Sequence, residues 1–142
     1  MSDDYRTQRF CLIAAGALGA IAVALGAFHA HGLEAYLEKT GMAPELVSKR
    51  MENCAAGVRY QMYGAITLLA TGALSATSRV SLGIPIGFVV GTILFAGSLY
   101  GIVFLNKTWL GAVAPLGGGT LIGTWFWLAI SAARSFKSES NG

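Results

Sequence analysis

Two histidines, His29 and His31, are the side chains of this sequence best suited to bind a metal, and they follow its first apolar run. On a helix, side chains two positions apart point about 200° from one another, so both rings reach one ion only where the chain is extended or turning. Gly32 permits a turn there. Zinc, however, takes three or four protein ligands. The pattern favours interfacial hydrogen bonding, and we expect no metal and no cofactor.

A second group of polar residues surrounds Arg59, which marks the edge of another apolar run. Tyr63 follows one helical turn later, where the guanidinium can stack on the ring or bond outward. Two interpretations stay open: Arg59 extends to the lipid headgroups, or it pairs with Glu34 or Glu52 and pins a loop over the membrane domain. The predicted polar cluster comprises His29, His31, Glu34, Glu52, Arg59 and Tyr63.

Pro115 interrupts the last apolar run and is followed by Gly117, Gly118 and Gly119. Proline lacks an amide hydrogen, so it frees the carbonyl four residues earlier and favours a kink. An unwound segment that lines a transport site is the alternative. No ionisable side chain shares that depth to bind an ion, so a kink with close packing is the favoured interpretation.

Reaction signatures are missing from the sequence. It has no nucleophile motif, no phosphate-binding glycine loop and no paired catalytic carboxylates. Cys11 and Cys54 match no zinc or redox spacing, and they are expected at opposite membrane faces as small buried side chains. We therefore expect no enzyme, no catalytic residue and no cofactor-binding residue.

Four apolar runs must position these residues. Leu82 to Leu105 and Trp109 to Ala133 hold 24 and 25 residues without a charge, and three residues separate them. Each run exceeds the roughly 20 residues that a helix needs to cross a bilayer, and so short a link makes the two helices antiparallel neighbours. Phe10 to Phe28 is a third run of 19 residues. It is longer than the core of a secretory signal, the alternative interpretation, so we expect a retained helix.

Residues 29–54 form the sizeable segment outside the membrane. Leu33 to Lys39 is predicted to form a short interfacial helix. Pro44 at a first helical position predicts a longer helix that runs directly into the second span. With 54% apolar and 12% charged residues, the chain is predicted to be an all-α membrane protein. We expect one domain, 1–142, with four transmembrane helices in an up-down antiparallel bundle and one longer loop between helices 1 and 2. The spans are 10–28, 57–77, 82–105 and 109–133.

Basic residues divide equally between the two predicted sides, five on each. Those on the side of the termini lie closer to span ends, so both termini are predicted to be cytoplasmic. The net charge of +3 includes no basic run interleaved with aromatics, which argues against nucleic acid as a partner. The two basic sets are Arg6, Arg9, Arg79, Arg134 and Lys137, and Lys39, Lys49, Arg50, Arg59 and Lys107.

Glycines four positions apart predict close helix contacts, because membrane helices associate through small residues. Gly16 begins a similar stripe in the first span. The spacing leaves open whether these contacts lie within one chain or between copies. The predicted packing residues are Gly87, Gly91, Gly97, Gly101, Pro115, Gly119 and Gly123.

Four stretches, in order along nearly the whole chain, carry a family resemblance. They are GAFHAHGL at Gly26 to Leu33, VRYQMYGAI at Val58 to Ile66, FAGSLY at Phe95 to Tyr100, and WLGAVAPLGGG at Trp109 to Gly119. Together they resemble the YgdD type of small four-span inner-membrane proteins, a family with no established activity. The resemblance implies the bacterial inner membrane as the location. Gly64 stands where that family commonly has a histidine.

The function expected from these observations is that of an accessory or scaffold protein in the lipid bilayer, packed with itself as a homo-oligomer or within a larger membrane complex. The alternative is a small transporter or channel formed by the bundle or its oligomer. A conduit needs a continuous polar path, and the sequence offers only Thr67, Thr71, Ser98, Thr120 and Thr124 to line one.

Overall fold

A computed structural model describes residues 3–76 and 80–139, and this part of the chain is all-α, as predicted. The elements are α1 Asp3–His31, α2 Leu33–Glu38, α3 Pro44–Leu74, α4 Gly83–Leu105, a 3₁₀ helix Thr108–Ala112, and α5 Ala114–Glu139. The short helix predicted to begin at Leu33 is confirmed by α2, and its interfacial position stays a prediction. The helix predicted to start at Pro44 is confirmed by α3, because proline occupies its first turn, where no amide hydrogen is needed.

Among the described residues, three helical stretches are long and apolar enough to cross a membrane. The remaining long helix, α3, is not one of them. Four membrane crossings therefore stay a prediction. The predicted end of the second span at residue 77 and the adjacent Arg79 lie outside the described residues. The three stretches are Asp4–His31, Gly83–Leu105 and Thr108–Arg134.

The long helices pack in a row, in the order α1, α3, α4, α5. Gly19 of α1 lies beside Ala65 of α3, and Gly26 lies beside Val58, so residue numbers rise along one helix and fall along the other. In the described ranges α1 and α5 make no contact with each other. The row is therefore open, and α4 has a helix on each side and an uncovered strip between them.

The loop between α1 and α3 is folded against the end of this row. Leu33 and Leu37 of α2 are fully buried and pack with Val47 and Cys54 of α3 and Val103 of α4. Burying a leucine side chain from water contributes about 1.5 to 3 kcal/mol. The two leucines therefore hold α2 on α3 and α4.

Three of the predicted packing glycines make close contacts within the chain. A Cβ built on Gly87 would lie 2.5 Å from Thr124 Oγ1, and one built on Gly91 would lie 2.8 Å from the Leu121 side chain. A Cβ built on Gly101 would meet Leu110. These glycines let α4 approach α5 and the 3₁₀ helix more closely than any larger residue allows.

Three other predicted packing glycines make no close contact within the chain, so a contact between copies stays open for them. Nothing lies within 4 Å of a Cβ built on Gly97, Gly119 or Gly123, because these positions face away from the neighbouring helices. Two glycines outside the predicted set also make close contacts: Gly117 lies against the backbone of Phe95, and Gly64 lies against Thr92.

Pro115 is the second residue of α5 and follows the 3₁₀ helix Thr108–Ala112. The prediction placed it inside a continuous helix, as the cause of a kink. In the structure the chain instead changes from a 3₁₀ helix to an α-helix at Val113 and Ala114. Proline is accepted in a first helical turn, so no interior hydrogen bond is lost.

Replacing Gly91 by leucine is expected to lower the free energy of unfolding by about 1 to 3 kcal/mol, because the new side chain overpacks the α4–α5 contact. Gly97→Leu in the same helix is the matched control, since its Cβ meets nothing. Thermal unfolding in a mild detergent measures both variants. Equal midpoints for the two leucine variants would contradict the close contact at Gly91.

Candidate functional site

The two histidines of the predicted polar cluster lie in different environments. His29 Nε2 donates a hydrogen bond to the carbonyl oxygen of Met51 at 3.2 Å, which joins the end of α1 to α3. The hydrogen-bonding interpretation is confirmed for this residue. Because α1 continues through His31, the exposed His31 ring points in another direction. Within residues 3–76 and 80–139, no three His, Cys, Asp or Glu side chains are placed to hold a metal.

Arg59 is exposed, and so are Glu34, Glu52 and Tyr63. Among the described residues, Arg59 has neither an ion pair nor a hydrogen-bond partner. The structure therefore does not bring it to Glu34 or Glu52, and the ion pair that would pin the loop is absent from this arrangement. An exposed guanidinium at the edge of an apolar run fits the headgroup interpretation.

Arg50 is the buried cation that the sequence interpretation missed. Its side chain is 3% exposed, and Nη2 donates to the side-chain oxygen of Asn106 at 2.6 Å, while Nε has no partner. A signal for this burial existed in the sequence: the buried positions of α3 recur every three or four residues, and Arg50 falls on that repeat. The repeat is Val47, Arg50, Cys54, Gly57, Gln61, Gly64 and Leu68.

Asn106 supplies the acceptor from the link between α4 and α5. It caps α4 with φ 51° and ψ 30°, the one non-glycine residue with positive φ in the described ranges. Asparagine tolerates this left-handed conformation better than most residues. The same residue thus ends α4 and holds the guanidinium of Arg50, which ties α3 to the start of the last span.

Cys54 is buried and Tyr100 is partly buried beside this end of the molecule. Burial raises the pKa of the Cys54 thiol, so the thiol stays protonated and poorly nucleophilic at neutral pH. The Tyr100 ring lies over Gly57, and its hydroxyl is buried without a partner. Their surroundings are those of a packed core.

An apolar groove of about 500 Å³ opens along the uncovered strip of α4, between α3 and α5. Two aromatic pairs line it: the ring centroids of Tyr60 and Phe95 are 4.5 Å apart, and those of Phe88 and Trp125 are 5.0 Å apart. Gly64 also lines the groove. Such a surface offers shape and apolar contact, with little capacity for proton transfer.

Most hydroxyls proposed to line a conduit bond to their own helix. Thr71 and Thr124 donate to the carbonyl oxygens of Thr67 and Thr120, each at 2.8 Å. Ser98 and Thr120 likewise donate to carbonyls three and four residues earlier. A hydroxyl used in this way is a poor ligand for a passing solute.

A family model described as "Protein of unknown function (DUF423)" matches residues 25–118, which include Arg50 and Asn106. The UPF0382 membrane protein YwdK of Bacillus subtilis is 36% identical over 123 residues, 84% of this chain and 93% of YwdK. A UPF0382 membrane protein of Haemophilus influenzae is 36% identical over 127 residues, 86% of this chain and 90% of the relative. The UPF0382 inner membrane protein YgdD of Escherichia coli K12 is 34% identical over 131 residues, 90% of this chain and 92% of YgdD.

These relatives confirm the resemblance drawn from the four sequence stretches. No solved structure matches the chain.

Changing Asn106 separates its two roles. Asn106→Ala removes the acceptor and strains the left-handed backbone, so we expect a loss of about 1 to 3 kcal/mol in the free energy of unfolding. Asn106→Gly keeps the conformation and should lose less, while Asn106→Asp offers the buried guanidinium a charged acceptor and should be more stable than the parent protein. Thermal unfolding in detergent ranks the three variants, and an alanine variant as stable as the parent would refute the role of Asn106.

The structure predicts that buried leucines, rather than Arg59, hold the loop in place. Leu37→Ala should speed tryptic cleavage after the exposed Lys39 at least severalfold, because a buried leucine truncation costs about 2 to 5 kcal/mol. Arg59→Gln should leave that rate unchanged. Faster cleavage in Arg59→Gln, with Leu37→Ala unaffected, would restore the pinning role of Arg59.

Proposed function

We propose that this chain, which belongs to the DUF423 family of membrane proteins of unknown function, is a non-enzymatic accessory protein that associates with a second copy of itself. In this proposal, four helices cross the bacterial inner membrane as an up-down antiparallel bundle, with both termini in the cytoplasm. The opposite directions of neighbouring helices and the inner-membrane name of YgdD support that arrangement. The positions of the basic residues support the orientation.

The outward face of α5 is the observation that carries the proposal. Gly119 and Gly123 are exposed, lie four positions apart and meet nothing within the chain. In apolar helices, this spacing allows two backbones to come into contact across a lipid-facing surface. Since α5 is the edge helix of the row, this face has no neighbour among the described residues.

A second copy fits this face because the contact is self-complementary. Two α5 helices that cross at Gly119 and Gly123 form a closed two-fold interface. Leu116 and Phe126 flank the glycines and are 65% and 66% exposed, so each would pack against the partner helix. The wall of the apolar groove at Ile122 adjoins the same face and extends the surface available for contact.

A transporter or channel receives less support. The hydroxyls of Thr71, Ser98, Thr120 and Thr124 bond to their own helices, and the groove between α3 and α5 is lined mainly by aromatic and aliphatic side chains. A bundle that is close-packed at glycines provides a rigid packing surface. We therefore place this chain with accessory proteins that act through contact in the membrane.

Gly119→Ile is expected to convert the self-associated protein to a monomer while leaving its thermal stability unchanged, because the added side chain meets only the partner. Gly16→Ile is the matched control: Gly16 is also exposed in a span, and its Cβ meets nothing. Single-molecule photobleaching in bilayers measures the number of copies.

Three outcomes are distinguishable in this experiment. A dimer in the parent and in Gly16→Ile, with a monomer in Gly119→Ile, supports the proposal. A parent protein that is monomeric at every protein-to-lipid ratio contradicts self-association. If a different protein copurifies in stoichiometric amount with the parent and is lost from Gly119→Ile, the face binds that protein in a larger complex instead of a second copy.

A further inference from the structure

Arg50 is a buried cation without a counter-charge among the described residues. Its guanidinium carries five N–H donors, and the described residues give it one neutral acceptor, the side-chain oxygen of Asn106. Nε is buried without an acceptor, and no described carboxylate forms an ion pair with this residue. A buried charge is costly unless it is paired and hydrogen-bonded. A counter-anion would remove that cost.

A cavity of about 370 Å³ lies beside Arg50, where α3 meets the end of α4 and the start of the last span. Its polar part contains Lys49, Arg50, Asn53 and Thr108, and no acidic residue lines it. The other lining residues are apolar: Leu46, Leu99, Ile102, Gly111 and Ala114.

The cavity also lies at the depth where headgroups are expected. The apolar run of α4 ends at Leu105, and the polar residues Asn106 and Lys107 follow directly. Lys49 and Arg50 contribute two cations to the lining of the cavity, while Leu99 and Ile102 lie before the end of α4, on the apolar side of Asn106. This division matches a molecule with an anionic head and an apolar tail.

We propose that this cavity binds the phosphate group of an anionic phospholipid. Arg50 and Lys49 supply positive charge to the phosphate oxygens, and arginine is well suited to phosphate because its planar fork can donate two parallel hydrogen bonds. Asn53 and Thr108 add neutral polar groups, and the aliphatic part accommodates the first segment of the acyl chains. The hydrogen bond to Asn106 holds the guanidinium beside the site.

The site is independent of the proposed contact between copies. Arg50 and its cavity involve α3, the end of α4 and the 3₁₀ helix, whereas the proposed dimer contact involves the outward face of α5 near Gly119 and Gly123. Lipid binding and self-association can therefore be tested separately. Gly119→Ile should leave lipid binding intact.

Native mass spectrometry of the delipidated full chain in detergent tests the proposal with three probes. Phosphatidylglycerol carries an anionic phosphate and acyl chains, diacylglycerol carries acyl chains alone, and inorganic phosphate carries the anion alone. We expect one phosphatidylglycerol to be retained per chain. Diacylglycerol and inorganic phosphate at matched concentration should be retained at least about tenfold less, since each satisfies only half of the site.

Three variants locate the binding. Lys49→Gln should weaken phosphatidylglycerol retention about fivefold, and Arg50→Gln about tenfold or more. Lys39→Gln is the matched control, because Lys39 is an exposed lysine of the same segment, residues 29–54, and does not line the cavity. The Lys49 comparison decides the question even if Arg50→Gln fails to fold, because Lys49 is exposed.

Three results would overturn the proposal. Equal weakening by Lys49→Gln and Lys39→Gln would assign the attraction to diffuse surface charge. Diacylglycerol retained as well as phosphatidylglycerol would assign it to apolar contact alone. Inorganic phosphate that binds equally well, or displaces the lipid, would make the cavity a site for a free anion.

Discussion

Close backbone approach between α4 and α5 is the contact on which the row of helices depends. Lipid tails are as apolar as leucine, so helices gain little by leaving lipid and must gain by packing. Gly117 lies against the backbone of Phe95, while Gly87 and Gly91 admit Thr124 and Leu121. These contacts fix α5 on one side of α4. Because α3 takes the other side of α4 and α1 makes no contact with α5 in the described ranges, both the apolar groove and the outward face of α5 stay free.

Contacts at the α2 end of the molecule and contacts within its apolar part are stabilised by different interactions. At the end with α2, Leu33 and Leu37 leave water, so the hydrophobic effect stabilises the loop directly. Within the apolar part, Gln61 donates to the carbonyl oxygen of Leu18 at 2.8 Å, because a buried amide needs an acceptor where no water is present. Arg50 lies at the boundary between these two parts, at the depth expected for the lipid headgroups, where a phosphate can supply its counter-charge.

The sequence pattern predicted most of the helices, but it did not predict which side chains contact one another between helices. Uncharged runs and Pro44 placed the helices, because length and first-turn chemistry are local properties. Glycine spacing identified Gly87 and Gly97 alike, yet only Gly87 faces a neighbour, because spacing does not fix helix rotation. Arg59 drew attention by its nearness to a span. Arg50 falls on the repeat of buried positions in α3, but its partner Asn106 lies 56 positions away, and no local pattern predicts that pairing.

Disulfide formation in membranes tests the open row most directly. With Cys11 and Cys54 replaced by alanine, a Gly91→Cys, Leu121→Cys pair should oxidise readily within one chain, because these positions touch across α4 and α5. An Ile13→Cys, Ile130→Cys pair on α1 and α5 should stay reduced. Intramolecular crosslinking of the α1–α5 pair, with the α4–α5 pair unreacted, would contradict the arrangement and everything argued from it.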